Sequence, residues 1–100
     1  MSLECSSAAW SLPLPTLEKI TLLALSDWAA WPEYFVDPPM SVLLSLTGAH
    51  EWEIYQALGS LWKKDYVRYL VTNQKRVSCR LNFQFMQDEA MAWERKVGAA

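Results

Sequence analysis

The segment 47–61 constrains the fold of this 100-residue chain more than any other. It opens with a threonine-glycine pair, and its apolar residues Ile54, Leu58 and Leu61 follow at i, i+4, i+7 spacing. That spacing places the three side chains on one face of a helix. A second apolar segment, 40–46, ends just before the glycine. The sequence therefore predicts two short helices joined by a tight turn.

Two helices joined by a glycine turn form a helix-turn-helix, a motif that can offer its second helix to a DNA groove. The second helix here carries Glu51, Trp52, Glu53 and Tyr55, where a DNA-reading helix usually carries basic or small polar side chains. The pattern therefore indicates the motif more clearly than it indicates the partner.

The rest of the chain predicts two more helices and a β-hairpin. Helices are expected over Leu17–Trp28, Pro39–Leu46, Ala49–Lys64 and Gln84–Val97, with Thr16 as N-cap of the first. Segments 66–72 and 77–83 are rich in β-branched and aromatic residues, so a hairpin with a four-residue loop is expected there. Residues 1–12 show no clear period and are expected to form an arm.

Apolar periodicity also predicts which side chains form the core. The first helix is expected to bury Leu17, Ile20, Leu23, Ala24 and Trp28. The expected core of the whole domain is Ile20, Leu23, Leu43, Ile54, Leu58, Leu61, Val67 and Leu81. With six tryptophans in the chain, at least one is expected to lie exposed at a binding surface.

Composition bounds the class of protein. The chain is 52% hydrophobic and 20% charged, which is typical of one globular domain. No apolar run approaches the roughly 20 residues that span a bilayer, and no basic signal-peptide region is present, so a cytoplasmic protein is expected. Cys5 and Cys79 have no metal-ligand spacing, His50 is the single histidine, and no phosphate loop or nucleophile–base pair is evident. We therefore expect neither an enzyme nor a cofactor.

The net charge of −2 hides a strong asymmetry. Residues 1–62 sum to −6, residues 63–82 to +5 and residues 83–100 to −1. A local concentration of positive charge favours polyanion binding more than the total charge does.

Several motifs carry a resemblance to a known family. The first helix contributes Leu14, Lys19, Leu22 and Leu25, and the helix-turn-helix contributes Pro39-Met40-Ser41 and Leu46-Thr47-Gly48. Ile54, Leu58, Leu61 and Arg80-Leu81-Asn82 complete the pattern. The run 14–83 resembles the winged helix-turn-helix domains of phage and plasmid replication-initiation proteins and small bacterial regulators. The resemblance implies an α+β winged helix-turn-helix with three helices, a β-hairpin wing and an extra C-terminal helix. Residues 1–12 would form the arm, 13–83 the domain and 84–100 the C-terminal helix.

The resemblance implies a small DNA-binding regulator or replication accessory protein of a phage or mobile element, with duplex DNA as its partner. The residues expected to contact nucleic acid are Lys63, Lys64, Arg68, Lys75, Arg76, Arg80, His50 and Gln56. Two departures from the family pattern matter. Asp65 replaces the usual glycine before the wing, and the DNA-facing positions fall on Glu51, Trp52, Tyr55 and Gln56. Glutamate repels phosphate and reads at best a cytosine amine.

The alternative is a winged-helix protein-interaction module, for example a phage-encoded inhibitor of a host factor. Its expected interface is Glu51, Trp52, Tyr55, Trp31, Tyr34, Phe35, Met86, Trp93 and Val97. Trp31, Tyr34 and Phe35 belong to a proline-broken loop, which either covers the core or forms an exposed recognition loop. Met86, Ala90, Trp93 and Val97 form a stripe that either packs on the chain's own core or makes a homodimer through the C-terminal helix.

Overall fold

Five helices and three strands form an α+β domain in the computed structural model, which describes residues 3–30, 32–73 and 75–98. The elements run in the order α1 (Leu3–Ser11), α2 (Thr16–Ser26), β1 (Phe35–Val36), α3 (Met40–Thr47), α4 (Glu51–Lys63), β2 (Val67–Asn73), β3 (Arg76–Leu81) and α5 (Phe83–Gly98). The four predicted helices and the predicted hairpin are confirmed. Two details are wrong: Asn73 and Arg76, predicted for the hairpin loop, pair as strand residues, and the N-cap of α2 is Pro15 instead of Thr16. No described helix has both the length and the apolar character needed to cross a membrane.

The N-terminal segment is a helix, so the predicted arm over residues 1–12 is wrong. In α1, Cys5, Ala8 and Ala9 are buried, as is Leu12 just beyond it. These positions follow i, i+3, i+4, i+7 spacing, and the helix packs against α2 and α5. Small alanine and serine side chains give a weak apolar contrast between the two faces, which is why the period is hard to see in the sequence.

The sheet is antiparallel, with strand order β1-β3-β2. Strand β1, which the sequence pattern does not predict, pairs Phe35 with Arg80 and Val36 with Cys79. The hairpin β2–β3 carries an irregularity between Arg68 and Val71, where Tyr69 has φ +53°. This β-bulge leaves Tyr69 and Val71 exposed on the outer strand of the sheet.

The core lies between the helices and one face of the sheet. Leu43, Ile54, Leu58, Leu61, Val67 and Leu81 are buried as predicted. Helix α2 is rotated from its predicted orientation: Thr21, Leu22 and Leu25 are buried, Ile20 and Leu23 are half-buried, and Trp28 is exposed. Apolar residues occur on several sides of α2, so periodicity alone does not fix the face that meets its neighbours.

The turn between α3 and α4 depends on a left-handed residue. Gly48 has φ +70°, and its N–H donates to the Leu44 carbonyl at 2.9 Å. The Thr47 hydroxyl donates to the Leu43 carbonyl at 2.7 Å and accepts from the Ala49 N–H at 3.2 Å. A left-handed residue at a helix end satisfies carbonyls that the helix leaves unpaired. Asp65 likewise has φ +71°, as expected from its replacing a glycine.

Thr21→Val is expected to stabilise the protein by about 1 kcal/mol, because the Thr21 hydroxyl is buried without a hydrogen-bond partner in the described part of the chain. Valine has the same shape and removes the polar group. The measurement is the unfolding midpoint in urea. Thr47→Val is the matched control and should destabilise, since that hydroxyl both donates and accepts. A midpoint lowered by Thr21→Val would mean that its hydroxyl has a partner in solution.

Candidate protein-interaction surface

Helix α4 presents three large aromatic side chains to solvent. It buries Ile54, Ala57, Leu58 and Leu61 on its inner side. On the outer side, Trp52 is 61% exposed, Tyr55 40% and Trp62 55%. We call Trp52, Tyr55 and Trp62 the α4 aromatic face. The sequence pattern identifies Trp52 and Tyr55 but misses Trp62, although its position seven residues after Tyr55 places it on the same side of a helix.

Gly59 lies within this outer side of the helix, between Tyr55 and Trp62. A Cβ atom built on Gly59 would meet no heavy atom within 4 Å, so neighbouring parts of the fold do not require a glycine here. Glycine in a helix interior costs roughly 0.5–1 kcal/mol relative to alanine. The outer side of α4 therefore has open space at Gly59, here called the notch, and the glycine weakens the helix that carries it.

Carboxylates occupy the N-terminal end of α4. His50 is the N-cap residue, and its backbone N–H donates to Glu53 Oε1 at 2.9 Å. Burial and a hydrogen bond with Glu51 raise the pKa of Tyr55 above its ordinary value. Glu51 and Glu53 complement the positive end of the helix dipole. The positive N-terminal end of α4, which could attract a phosphate, is thus already occupied by the carboxylates of Glu51 and Glu53.

Two of the predicted DNA-contacting cations belong to ion pairs near the ends of the helices. Lys64 Nζ lies 2.6 Å from Glu18 Oε1. Arg68 forms two hydrogen bonds with Asp65, at 3.1 Å and 2.8 Å, and this arginine holds the pKa of Asp65 below its usual range. Both cations are therefore partly neutralised within the chain.

The cations of β3 are also engaged. Arg76 Nε lies 3.4 Å from Asp37 Oδ2, and Arg80 Nε donates to the Glu33 carbonyl at 2.9 Å. The hydroxyl of Ser78 donates to Asp37 at 2.6 Å and, with Arg76 nearby, holds the pKa of that carboxyl below its ordinary value. Two cations of the segment 63–82, Lys64 and Arg76, are thus paired with acids from distant parts of the chain.

The hairpin tip faces the start of α4. Lys75, with φ +68°, and Arg76 line a surface groove together with Glu51, Met40 and Leu44. The side chains of Lys63 and Lys75 make no hydrogen bond or ion pair with any described residue. Of the four other predicted cations, three form ion pairs and Arg80 donates to a backbone carbonyl. His50 and Gln56 are exposed, the first at the start of α4 and the second on its outer side. A phosphate approaching the tip would thus meet the Glu51 carboxylate as well as the two cations.

The aromatic loop before α3 divides between core and surface. Tyr34 is buried, stacks on Phe83 with ring centroids 4.7 Å apart, and donates its hydroxyl to Glu4 at 3.0 Å. Burial and this glutamate raise the pKa of Tyr34 to about 12. Its predicted role at an interface is therefore wrong, because the side chain is enclosed. Phe35 remains exposed on β1, and Trp31 lies outside the described residues.

The stripe on α5 is also divided. Met86 and Ala90 are buried in the chain's own core, so Met86 is wrongly predicted as an interface residue. Trp93 and Val97 are exposed and line a shallow groove with Trp10 of α1. Trp10 was not predicted, because the sequence gives no sign that α1 and α5 meet.

The described residues contain no group of three His, Cys, Asp or Glu side chains placed to hold a metal ion. Both cysteines are buried, and burial raises the pKa of the Cys79 thiol to about 12, so Cys79 is a weak nucleophile at neutral pH. No protein-family model, curated protein or solved structure matches the chain.

Proposed function

We propose that this chain is a winged-helix protein-interaction module that binds its partner through the α4 aromatic face. The order of elements supports the winged-helix part of the proposal: helices α2, α3 and α4 precede the hairpin β2–β3. The short strand β1, between α2 and α3, pairs with β3 and so joins the hairpin to the helices. The resemblance of the run 14–83 to replication-initiation domains gives the same assignment and favours a cytoplasmic protein of a phage or plasmid.

The single observation that carries the function is the exposure of Trp52, Tyr55 and Trp62 together on one helix face. Tryptophan and tyrosine dominate the energetic centres of protein interfaces, because they remove large apolar areas from water while keeping a polar edge. Contiguous exposed apolar surface on a small domain is typical of an interaction site.

The charges beside this face favour a protein over DNA. The position that would enter a groove carries Glu51 next to the aromatic rings, and the end of the helix is capped by Glu53. Four of the six predicted phosphate-binding cations already have partners in the chain. If these cations bound phosphate, they would lose their contacts within the chain. That loss reduces the net binding free energy gained from each phosphate contact.

The double change Trp52→Ala/Trp62→Ala is expected to abolish binding of a protein partner, because it removes the two largest exposed side chains of α4. The measurement is comparative capture from a bacterial extract by the immobilised chain, with captured proteins identified by mass spectrometry. Trp10→Ala is the matched control, since Trp10 is 66% exposed on a different helix. Proteins retained by the parent and the control but lost by the double variant would support the proposal. An identical set for all three chains, together with a parent chain that stays monomeric in sedimentation, would refute it.

DNA binding is the second candidate, favoured by the two predicted cations whose side chains have no partner among the described residues, Lys63 and Lys75. If DNA is bound, Lys63→Gln and Lys75→Gln should each lower the slope of log affinity against log salt by about 0.9. The measurement is fluorescence anisotropy with a labelled duplex at several salt concentrations. Lys96→Gln on α5 is the control and should leave the slope unchanged. Absence of binding at physiological salt would exclude this candidate.

A further inference from the structure

The outer side of α4 has the spacing of a helix-pairing seam. Trp52, Tyr55, Gly59 and Trp62 are separated by three, four and three residues. A 3-4-3 spacing follows the 3.5-residue period along which two helices stay in contact over several turns. Helix α4 contains 13 residues, about 20 Å of helix at the standard rise of about 1.5 Å per residue.

The seam is complementary to itself when two copies run antiparallel. If the two-fold axis crosses α4 at the level of Ala57, Trp52 lies five residues before it and Trp62 five residues after it. Each Trp52 then meets Trp62 of the partner subunit at the same height. Tyr55 and Gly59 lie two residues on either side of the axis, so each Tyr55 ring lies opposite the notch at Gly59 of the partner subunit.

Charge selects the same orientation. Glu51 lies six residues before the axis and Lys63 six residues after it, and both are exposed. An antiparallel pair brings Glu51 to the level of Lys63 of the partner subunit at both ends. A parallel pair would instead align glutamate with glutamate and lysine with lysine. Complementary charge fixes the orientation of an association more than it adds affinity.

We propose that the partner of the α4 aromatic face is a second copy of this chain, bound through an antiparallel contact between the outer sides of the two α4 helices, with its two-fold axis at the level of Ala57 along the helix. This inference rests on the proposed function and names the partner. A two-fold contact uses the same surface on both chains, as the symmetric spacing requires. The proposed contact also explains why residue 59 is a glycine, because neighbouring parts of the single chain leave room for a Cβ there.

The test is sedimentation equilibrium of the full chain, with Gly59→Gln as the main variant. A single helix pair buries less than a standard interface, so dimerisation in the micromolar range is expected. Gly59→Gln should weaken dimerisation at least about tenfold, because the new side chain fills the notch that receives Tyr55. The same change should raise the unfolding midpoint of the dilute monomer, since glutamine is a better helix former than glycine. Weaker association with higher stability cannot come from misfolding.

Charge reversal tests the orientation. Glu51→Lys and Lys63→Glu should each weaken dimerisation about threefold or more, and the combined variant should restore it to within about twofold of the parent. A combined variant that is weaker than both single variants would overturn the antiparallel arrangement.

The remaining outcomes separate the inference from the proposed function. A chain that is monomeric throughout the micromolar range overturns the dimer, whereas loss of captured proteins in Trp52→Ala/Trp62→Ala would still support an interaction surface for another protein. Dimerisation that survives Gly59→Gln but is lost in Trp93→Ser/Val97→Ser would place the contact on α5 and also overturn the inference. If, in addition, the set of captured proteins is the same for Trp52→Ala/Trp62→Ala as for the parent, the proposed function fails together with the dimer.

Discussion

A chain ending at Asn82 is expected not to fold cooperatively, because α5 completes the core rather than extending from it. The deletion removes Met86, which is fully buried, and Phe83 and Phe85, which pack against the core. Phe83 stacks on Tyr34, and the Phe85 ring centroid lies 5.2 Å from that of Tyr66. Full burial of such a side chain contributes about 1.5–3 kcal/mol, and the two phenylalanines are partly buried. The loss is therefore a large share of the roughly 5–15 kcal/mol by which small domains are typically stable.

Circular dichroism during thermal unfolding would test this expectation, with loss of the sigmoidal transition as the predicted result. A chain ending at Lys96 is the control. It lacks only positions beyond the last buried residue of α5, Ala90, and should unfold close to the parent midpoint. A cooperative transition in the chain that ends at Asn82 would show that α5 is dispensable, contrary to its contacts with α1, Tyr34 and Tyr66.

Leu58→Ala is expected to destabilise the protein by about 2–5 kcal/mol, the range for large-to-small changes in a close-packed core. Leu58 is 1% exposed and lies on the inner side of α4. The cost combines lost apolar burial with the cavity that remains, and the relaxation of neighbouring side chains sets the value within that range. Equilibrium unfolding in urea gives the free energy directly.

Leu46→Ala provides the same chemical change at an exposed site. Leu46 is 50% exposed near the end of α3, so its replacement should cost well under half as much as Leu58→Ala. Equal costs for the two variants would mean that α4 does not pack through the face described here.

Local signals account for the elements that were predicted from the sequence. Gly48 and Asp65 adopt left-handed backbones where turn chemistry requires them, and the apolar spacing of α4 is regular. The hairpin was predictable because two β-branched segments flank a short polar loop. In each case the information lies within a few consecutive residues.

The elements that were missed depend on distant contacts. Strand β1 has two residues, and only its pairing with β3 makes it a strand. The orientation of α2 depends on where α1 and α4 pack, and the sequence of α2 is apolar on more than one side. Nothing local in the segments 16–26 or 35–36 specifies these neighbours.

The candidate site shows the same division. Trp52 and Tyr55 were predictable, because their exposure follows from the helix that carries them. The ion pairs of Lys64 and Arg76 were not predictable. Their partners, Glu18 and Asp37, lie 46 and 39 residues away along the chain. Part of the positive charge of the segment 63–82 is therefore paired in the fold with acids that lie far away in the sequence.

The bulge at Tyr69 also protects the protein from aggregation. Strand β2 is an edge strand of the sheet, and its segment 69–73 is uncharged and rich in residues that favour strands. A regular edge of this composition would offer its backbone N–H and carbonyl groups to strands of other molecules. The left-handed conformation of Tyr69 interrupts that row and increases the local twist. The short opposite edge, β1, lies between Pro32 and Pro38. Both margins of the sheet thus resist extension into a fibril.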